Sequence, residues 1–186
     1  MKFKYLATFA AASILALGLS GTPNNFNSVN ANPCAGTENP CAGANPCAAA
    51  DADSAPMVYT ESSSGLAIRG TDPVAYFTEG EVVEGSEDYE SEWNGAVWRF
   101  ASAENQELFE SDPEAYAPQY GGYCAKALSE GNVVSTDPEA WKIVNDKLYL
   151  NYSKGVQQQW VENIKGNIAL ADRMWPNVLV GAKVFE

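Results

Sequence analysis

The sequence predicts an α+β fold, a small mixed domain with two β-hairpins and several short helices, and three observations carry that expectation. The turn pairs Asn94-Gly95 and Asn145-Asp146 sit inside apolar-aromatic stretches, as two hairpins require. The dipeptide Asp-Pro opens three segments, at Asp72, Asp112 and Asp137, with the grammar of a helix start. Strands and helices alternate without a βαβ rhythm, so no parallel sheet is expected.

Taken in order, Leu66-Ala67-Ile68 reads as a short strand. In Asp72-Pro73-Val74-Ala75 the carboxylate caps free backbone N–H groups, and Pro at the first helical position forfeits no hydrogen bond. The first hairpin pairs Trp93 with Ala96, Ser91 with Trp98 and Tyr89 with Phe100. One face then turns Tyr89, Trp93, Trp98 and Phe100 to a core, and the other sets Glu90 opposite Arg99. Ser102 caps a helix that buries Leu108 and Phe109. Asp112-Pro113-Glu114-Ala115 and Asp137-Pro138-Glu139-Ala140 repeat the helix-start grammar. The second hairpin spans Trp141 to Tyr152. Ser153 caps a helix with Val156, Trp160 and Ile164 at intervals of four, and a last helix runs from about Asn167 to before Pro176.

Composition narrows the chemistry. The 186 residues hold 11 basic and 24 acidic side chains, a formal charge of −13, and no histidine. Without histidine there is no Ser-His-Asp or Cys-His nucleophile and no His-ligated zinc, copper or haem. The acidity argues against nucleic acid and against electrostatic docking on an anionic membrane, which both need a basic face.

The chain divides into three parts. Lys2 and Lys4 precede the apolar run Tyr5–Leu19, too short for a bilayer span of roughly 20 residues. With Val29-Asn30-Ala31 as a small-x-small site, residues 1–31 read as a cleaved signal peptide and the mature chain starts at Asn32. Leu17-Gly18-Leu19-Ser20-Gly21 has a lipobox outline, but Ser20 offers no thiol to lipidate. Cleavage removes two lysines and no acid, leaving a charge of −15. A periplasmic or secreted location follows, with no stable membrane anchor. Residues 32–57 form a tail in which Asn-Pro-Cys-Ala recurs around Cys34, Cys41 and Cys47, of a composition that stays disordered. Of the 21 aromatic residues 17 lie between Tyr59 and Phe185, so residues 58–186 hold the folded domain.

The tail supports two readings. Three thiolates on a leash could wrap a soft metal such as copper as Cu(I). Alternatively the tail is a solvated spacer whose thiols oxidise outside the cytoplasm. The intervening six and five residues are longer than the two to four of zinc pairs. With Cys124 the four cysteines allow three disulfide pairings, which spacing does not rank.

Several dispersed motifs resemble one known family. They are Gly70-Thr71-Asp72-Pro73-Val74-Ala75-Tyr76-Phe77, then Phe100-Ala101-Ser102-Ala103-Glu104-Asn105 after the hairpin. The stretch from Asp112 through Tyr120-Gly121-Gly122-Tyr123-Cys124-Ala125 follows, and Lys147-Leu148-Tyr149-Leu150-Asn151-Tyr152 closes the set. Over roughly Leu66 to Pro176 the chain resembles the exported subgroup of YHS-domain proteins. The resemblance implies a small α+β module related to treble-clef-like metal-binding domains. Metal-binding relatives carry Cys-Pro-x-Cys and Phe-Cys-Ser-x-x-Cys elements. The corresponding positions here are Asp72 and Ala75, then Ala101 and Asn105, so all four thiols and the eponymous histidine are replaced.

The candidate ligand-binding residues are Asp72, Tyr76, Tyr120, Tyr123 and Cys124, and the candidate metal ligands are Cys34, Cys41, Cys47 and Cys124. A helix starting near Tyr123 would lower the Cys124 thiol pKa and favour a thiolate; a buried, inert cysteine is the other reading. Gly121-Gly122 serves backbone geometry rather than a phosphate cradle. The aromatics read as core, with an aromatic-lined cavity as the alternative. Glu79, Glu81, Glu84, Glu87, Asp88, Glu90 and Glu92 read as a solvated face. The leading expectation is a non-enzymatic exported module that binds a metal ion or small ligand or assists an envelope partner. The alternatives are a thiol-dependent redox protein or enzyme using Cys124, and a structural protein crosslinked through its tail.

Overall fold

Two antiparallel hairpins and six short helices, a mixed α+β arrangement, make up the described residues, 54–186, of the computed structural model. The expected signal peptide and Cys34, Cys41 and Cys47 lie outside the described residues. In chain order the elements are α1 (Ala75–Thr78), β1 (Ser86–Trp93), β2 (Ala96–Phe100), α2 (Ala103–Ser111), α3 (Pro113–Tyr116) and α4 (Ala125–Ser129). Then come β3 (Asp137–Val144), β4 (Lys147–Asn151), α5 (Lys154–Val161) and α6 (Ile164–Met174). No helix among the described residues is long and apolar enough to cross a membrane.

The hairpin turns fall where the sequence puts them. Asn94 and Gly95 both take positive φ, 52° and 80°, as do Asn145 and Asp146 at 51° and 57°. In the first hairpin Trp93 faces Ala96, Ser91 faces Trp98 and Glu90 faces Arg99, as expected. The expected Tyr89–Phe100 pair does not form, because an irregularity between Ser86 and Glu90 brings Ser86 opposite Phe100. Arg99 there holds two carboxylates, Glu90 at 2.7 Å and Glu87 at 3.0 Å.

Four further expectations are corrected. Leu66–Ile68 forms only isolated bridges, Leu66 with Val97 and Thr60 with Ala67. The backbone then turns left-handed at Ile68, Arg69 and Gly70, which ends any strand. Asp137-Pro138-Glu139-Ala140 opens β3 instead of a helix. Asp137 Oδ1 accepts from the Glu139 N–H at 3.0 Å, and the pairing is irregular between Asp137 and Trp141. The missing N–H of Pro138 is tolerated at such a place, and the strand-forming Trp-Lys-Ile-Val that follows decides the local structure. Phe109 is buried as expected, but Leu108 faces solvent. Finally, Ile164 does not continue the helix of Val156 and Trp160. Asn163 interrupts it, accepts from the Gly166 N–H at 3.2 Å, and so starts α6 ahead of Asn167.

Two hydrophobic clusters result. The first gathers Tyr76, Trp98, Phe100, Phe109, Leu148 and Leu150, and the second gathers Tyr120, Tyr123, Leu128, Tyr149 and Trp160. Strand β4 serves both: Leu148 and Leu150 face one way and Tyr149 the other, as a period of two requires.

Candidate functional site

Among the described residues the most heavily bonded side-chain polar group is the Asp72 carboxylate. Segment 70–72 is fixed by the left-handed turn before it and by backbone bonds to the segment that leads into β1: Asp72 N–H to Val83 C=O at 2.8 Å and Gly85 N–H to Gly70 C=O at 2.9 Å. The side chain, 0% exposed, is thereby held inside. Its Oδ1 accepts from the N–H groups of Val74 at 2.8 Å and Ala75 at 3.3 Å, which open α1. Its Oδ2 accepts from the Ala101 N–H at 2.8 Å and from Asn105 Nδ2 at 2.7 Å, at the end of β2 and the start of α2. A buried carboxylate is costly unless such donors replace its water, and charge-assisted bonds do so best.

The resemblance assigns thiolate ligands to Asp72, Ala75, Ala101 and Asn105, and these four positions do meet. The residues present do not fit a metal ion. Ala75 and Ala101 have no donor side chain, and the Asn105 amide spends an N–H on the carboxylate. The two carboxylate oxygens offer about four lone-pair sites, and four N–H groups fill them. Among the described residues no three His, Cys, Asp or Glu side chains are grouped to hold a metal ion.

The five candidate ligand-binding residues are divided among the Asp72 centre, the two clusters and the start of α4. Tyr76 lies in the first cluster, where its O–H donates to Pro138 C=O at 3.1 Å and burial pushes its pKa up to about 12. Tyr120 and Tyr123 lie in the second. The Tyr120 O–H donates to Asp172 Oδ1 at 2.8 Å and the Tyr123 O–H to Pro56 C=O at 2.9 Å, and burial raises both phenols. Cys124 is fully buried, its sulfur accepting from the N–H groups of Tyr152 at 3.3 Å and Ala127 at 3.5 Å. The start of α4 does reach this sulfur, as expected, but burial outweighs it and moves the thiol pKa up, not down. Less thiolate is present at neutral pH than on a free cysteine.

One concave site lies where the two clusters part. Trp93 and Trp98 from the first hairpin and Tyr120 and Trp175 line a cleft of about 350 Å³, with Glu114 and Lys147 also on its wall. Trp98 is fixed by its ring N–H, which donates to Trp93 C=O at 3.1 Å. Trp175, following α6, packs against Tyr120 at 6.0 Å and Tyr123 at 6.3 Å between centroids. The floor depends on left-handed backbone at Tyr120 and Gly121, where residues 57–59 cross: the Tyr59 N–H donates to Gly121 C=O at 2.8 Å. Of these residues the sequence singled out only Tyr120 as a ligand candidate. The aromatic residues were visible, but nothing local in the sequence brings Trp175 beside the hairpin.

Residues 74–120 match the YHS domain family model. The YHS match covers about a quarter of the 186-residue chain. It contains the first hairpin, Ala101, Asn105 and, from the cleft, Trp93, Trp98, Glu114 and Tyr120. Asp72 stands just before the YHS match, and Cys124 and Trp175 follow it. No curated protein and no solved structure matches the chain.

Proposed function

We propose that the chain is an exported, non-enzymatic YHS-type module that binds a small organic ammonium ion in the aromatic cleft. The observation that carries this reading is the convergence of four aromatic side chains from both clusters on one cleft of about 350 Å³, within the size range of small-ligand sites. Indole and phenol faces attract cations, and they do so more strongly when water is excluded. Glu114 on the wall and the chain's net charge of −13 add attraction for a positive ligand. Lys147, also on the wall, suits a ligand that carries a carboxylate beside its ammonium group. Export rests on the leader-like start at residues 1–31. A metal ion is not the ligand in this reading, since the four positions around Asp72 lack free donor atoms. The raised Cys124 thiol likewise speaks against a thiol nucleophile.

The test is titration of the full chain with choline and with its uncharged tert-butyl isostere, read by tryptophan fluorescence and calorimetry. Choline should bind saturably and roughly tenfold or more tighter than the isostere, the scale of a partly desolvated cation–π contact. Trp175→Ala should abolish the signal and Cys124→Ser should leave it unchanged. Equal binding of the two compounds, or none to a folded protein, contradicts the reading.

A further inference from the structure

We propose that the Asp72 carboxylate is a metal-free anchoring centre, on which the first hairpin, α1 and α2 are held without any bound ion. The inference is independent of the cleft and rests on the bonding around one anion. Four N–H groups converge on its two oxygens, at 2.8, 3.3, 2.8 and 2.7 Å, from three places in the chain. Two belong to the turn that opens α1, one to the residue after β2, and one to the first turn of α2. The sequence separations are 29 residues to Ala101 and 33 to Asn105, so the carboxylate closes long loops as a metal ligand set would. The same segment is tied to the residues before β1 through Val83 and Gly85, and α1 is tied through Tyr76 to Pro138 on the second hairpin. Each oxygen accepts from two N–H groups and the residue is wholly buried, so no lone pair is left over for a ligand. Its work is structural. The four positions surround one point, and the chain fills that point with an anion and neutral donors instead of a cation and anionic ligands.

The experiment uses the full chain with Cys34, Cys41 and Cys47 changed to serine, so that the tail takes up no metal. Urea unfolding is followed with and without a strong chelator. The midpoint should be the same in both, and metal analysis should find no stoichiometric ion. Asp72→Asn turns an N–H₂ group toward donors that need an acceptor, and should lower the folding equilibrium constant roughly 100-fold. Asn105→Ala removes one donor and should lower it roughly tenfold, which keeps the test decisive if the first variant does not fold. The combined variant D72C/A75C/A101C/N105C should bind Co²⁺ with a thiolate charge-transfer band and become chelator-sensitive, because the four positions share one centre. A chelator-dependent midpoint in the background protein overturns the proposal. So does unchanged stability of both single variants, or a four-cysteine variant that folds and takes up no cobalt.

Discussion

Gly121→Ala should destabilise the protein by about 2–5 kcal/mol, more than a change of one methyl group at any exposed glycine. Two effects add. Gly121 sits at φ +60°, where an L side chain is strained, and a Cβ there would lie 1.9 Å from the Met57 carbonyl oxygen. Backbone cannot yield as a flexible side chain does, so residues 57–59 must lift away and the Tyr59 N–H to Gly121 C=O bond must lengthen. Gly122 is the internal control. It also has positive φ, +81°, but its Cβ would meet only Ile68 and Pro118 side-chain carbons at 3.5 Å. Gly122→Ala should therefore cost about 1–3 kcal/mol, the strain alone. Urea unfolding of the two variants reads the difference, and limited proteolysis near Met57 should be faster in Gly121→Ala alone. Equal stabilities would mean that the crossing of residues 57–59 over Gly121 is not maintained in solution. Because Met57 and Val58 line the aromatic cleft, the Gly121 variant should also weaken choline binding.

Phe109→Ala should cost about 3–5 kcal/mol, while its neighbour Leu108→Ala should stay within about 0.5 kcal/mol of the parent. The phenyl ring is 1% exposed and packs on three aromatic rings, at 5.1 Å from Trp98, 5.1 Å from Phe100 and 5.9 Å from Trp93. The Leu108 side chain is 40% exposed. Removing Phe109 leaves a cavity beneath the hairpin and loosens α2, which carries Asn105 to the Asp72 carboxylate. Thermal or urea unfolding of the pair measures the contrast. A similar loss in both would mean that α2 is rotated about its axis from the orientation described.

These two positions also show what could be learned from the chain alone. Short-range rules worked where a residue's conformation is decided by its neighbours: Asn94-Gly95 and Asn145-Asp146 as turns, Ser102 and Ser153 as caps, Asp72 as the anchor of a helix start. The same rules read Asp137-Pro138 as a helix start, since an Asp side chain bonds a backbone N–H two residues on in a strand entry just as in a cap. Choosing between Leu108 and Phe109 required the direction of α2 on the hairpin, which adjacent apolar residues do not specify. The Asp72 centre was half legible. Its capping bonds to Val74 and Ala75 follow from local grammar, whereas those to Ala101 and Asn105 need the tertiary fold. Of the two readings of Cys124 the buried, inert one holds: the helix start beside the thiol is a local signal, and burial overrides it. The cleft was least legible of all, since its walls come from residues as distant as Trp93 and Trp175.

The central claim is that Asp72 joins the hairpin and two helices without a bound metal ion, and amide hydrogen exchange tests it most directly. In protein stripped of metal, the N–H groups of Val74, Ala75 and Ala101 should exchange only through global unfolding, in step with the buried strand residues Trp98 and Leu150. Rapid exchange of the Ala101 amide in the stripped protein, slowed by adding Zn²⁺, would contradict it.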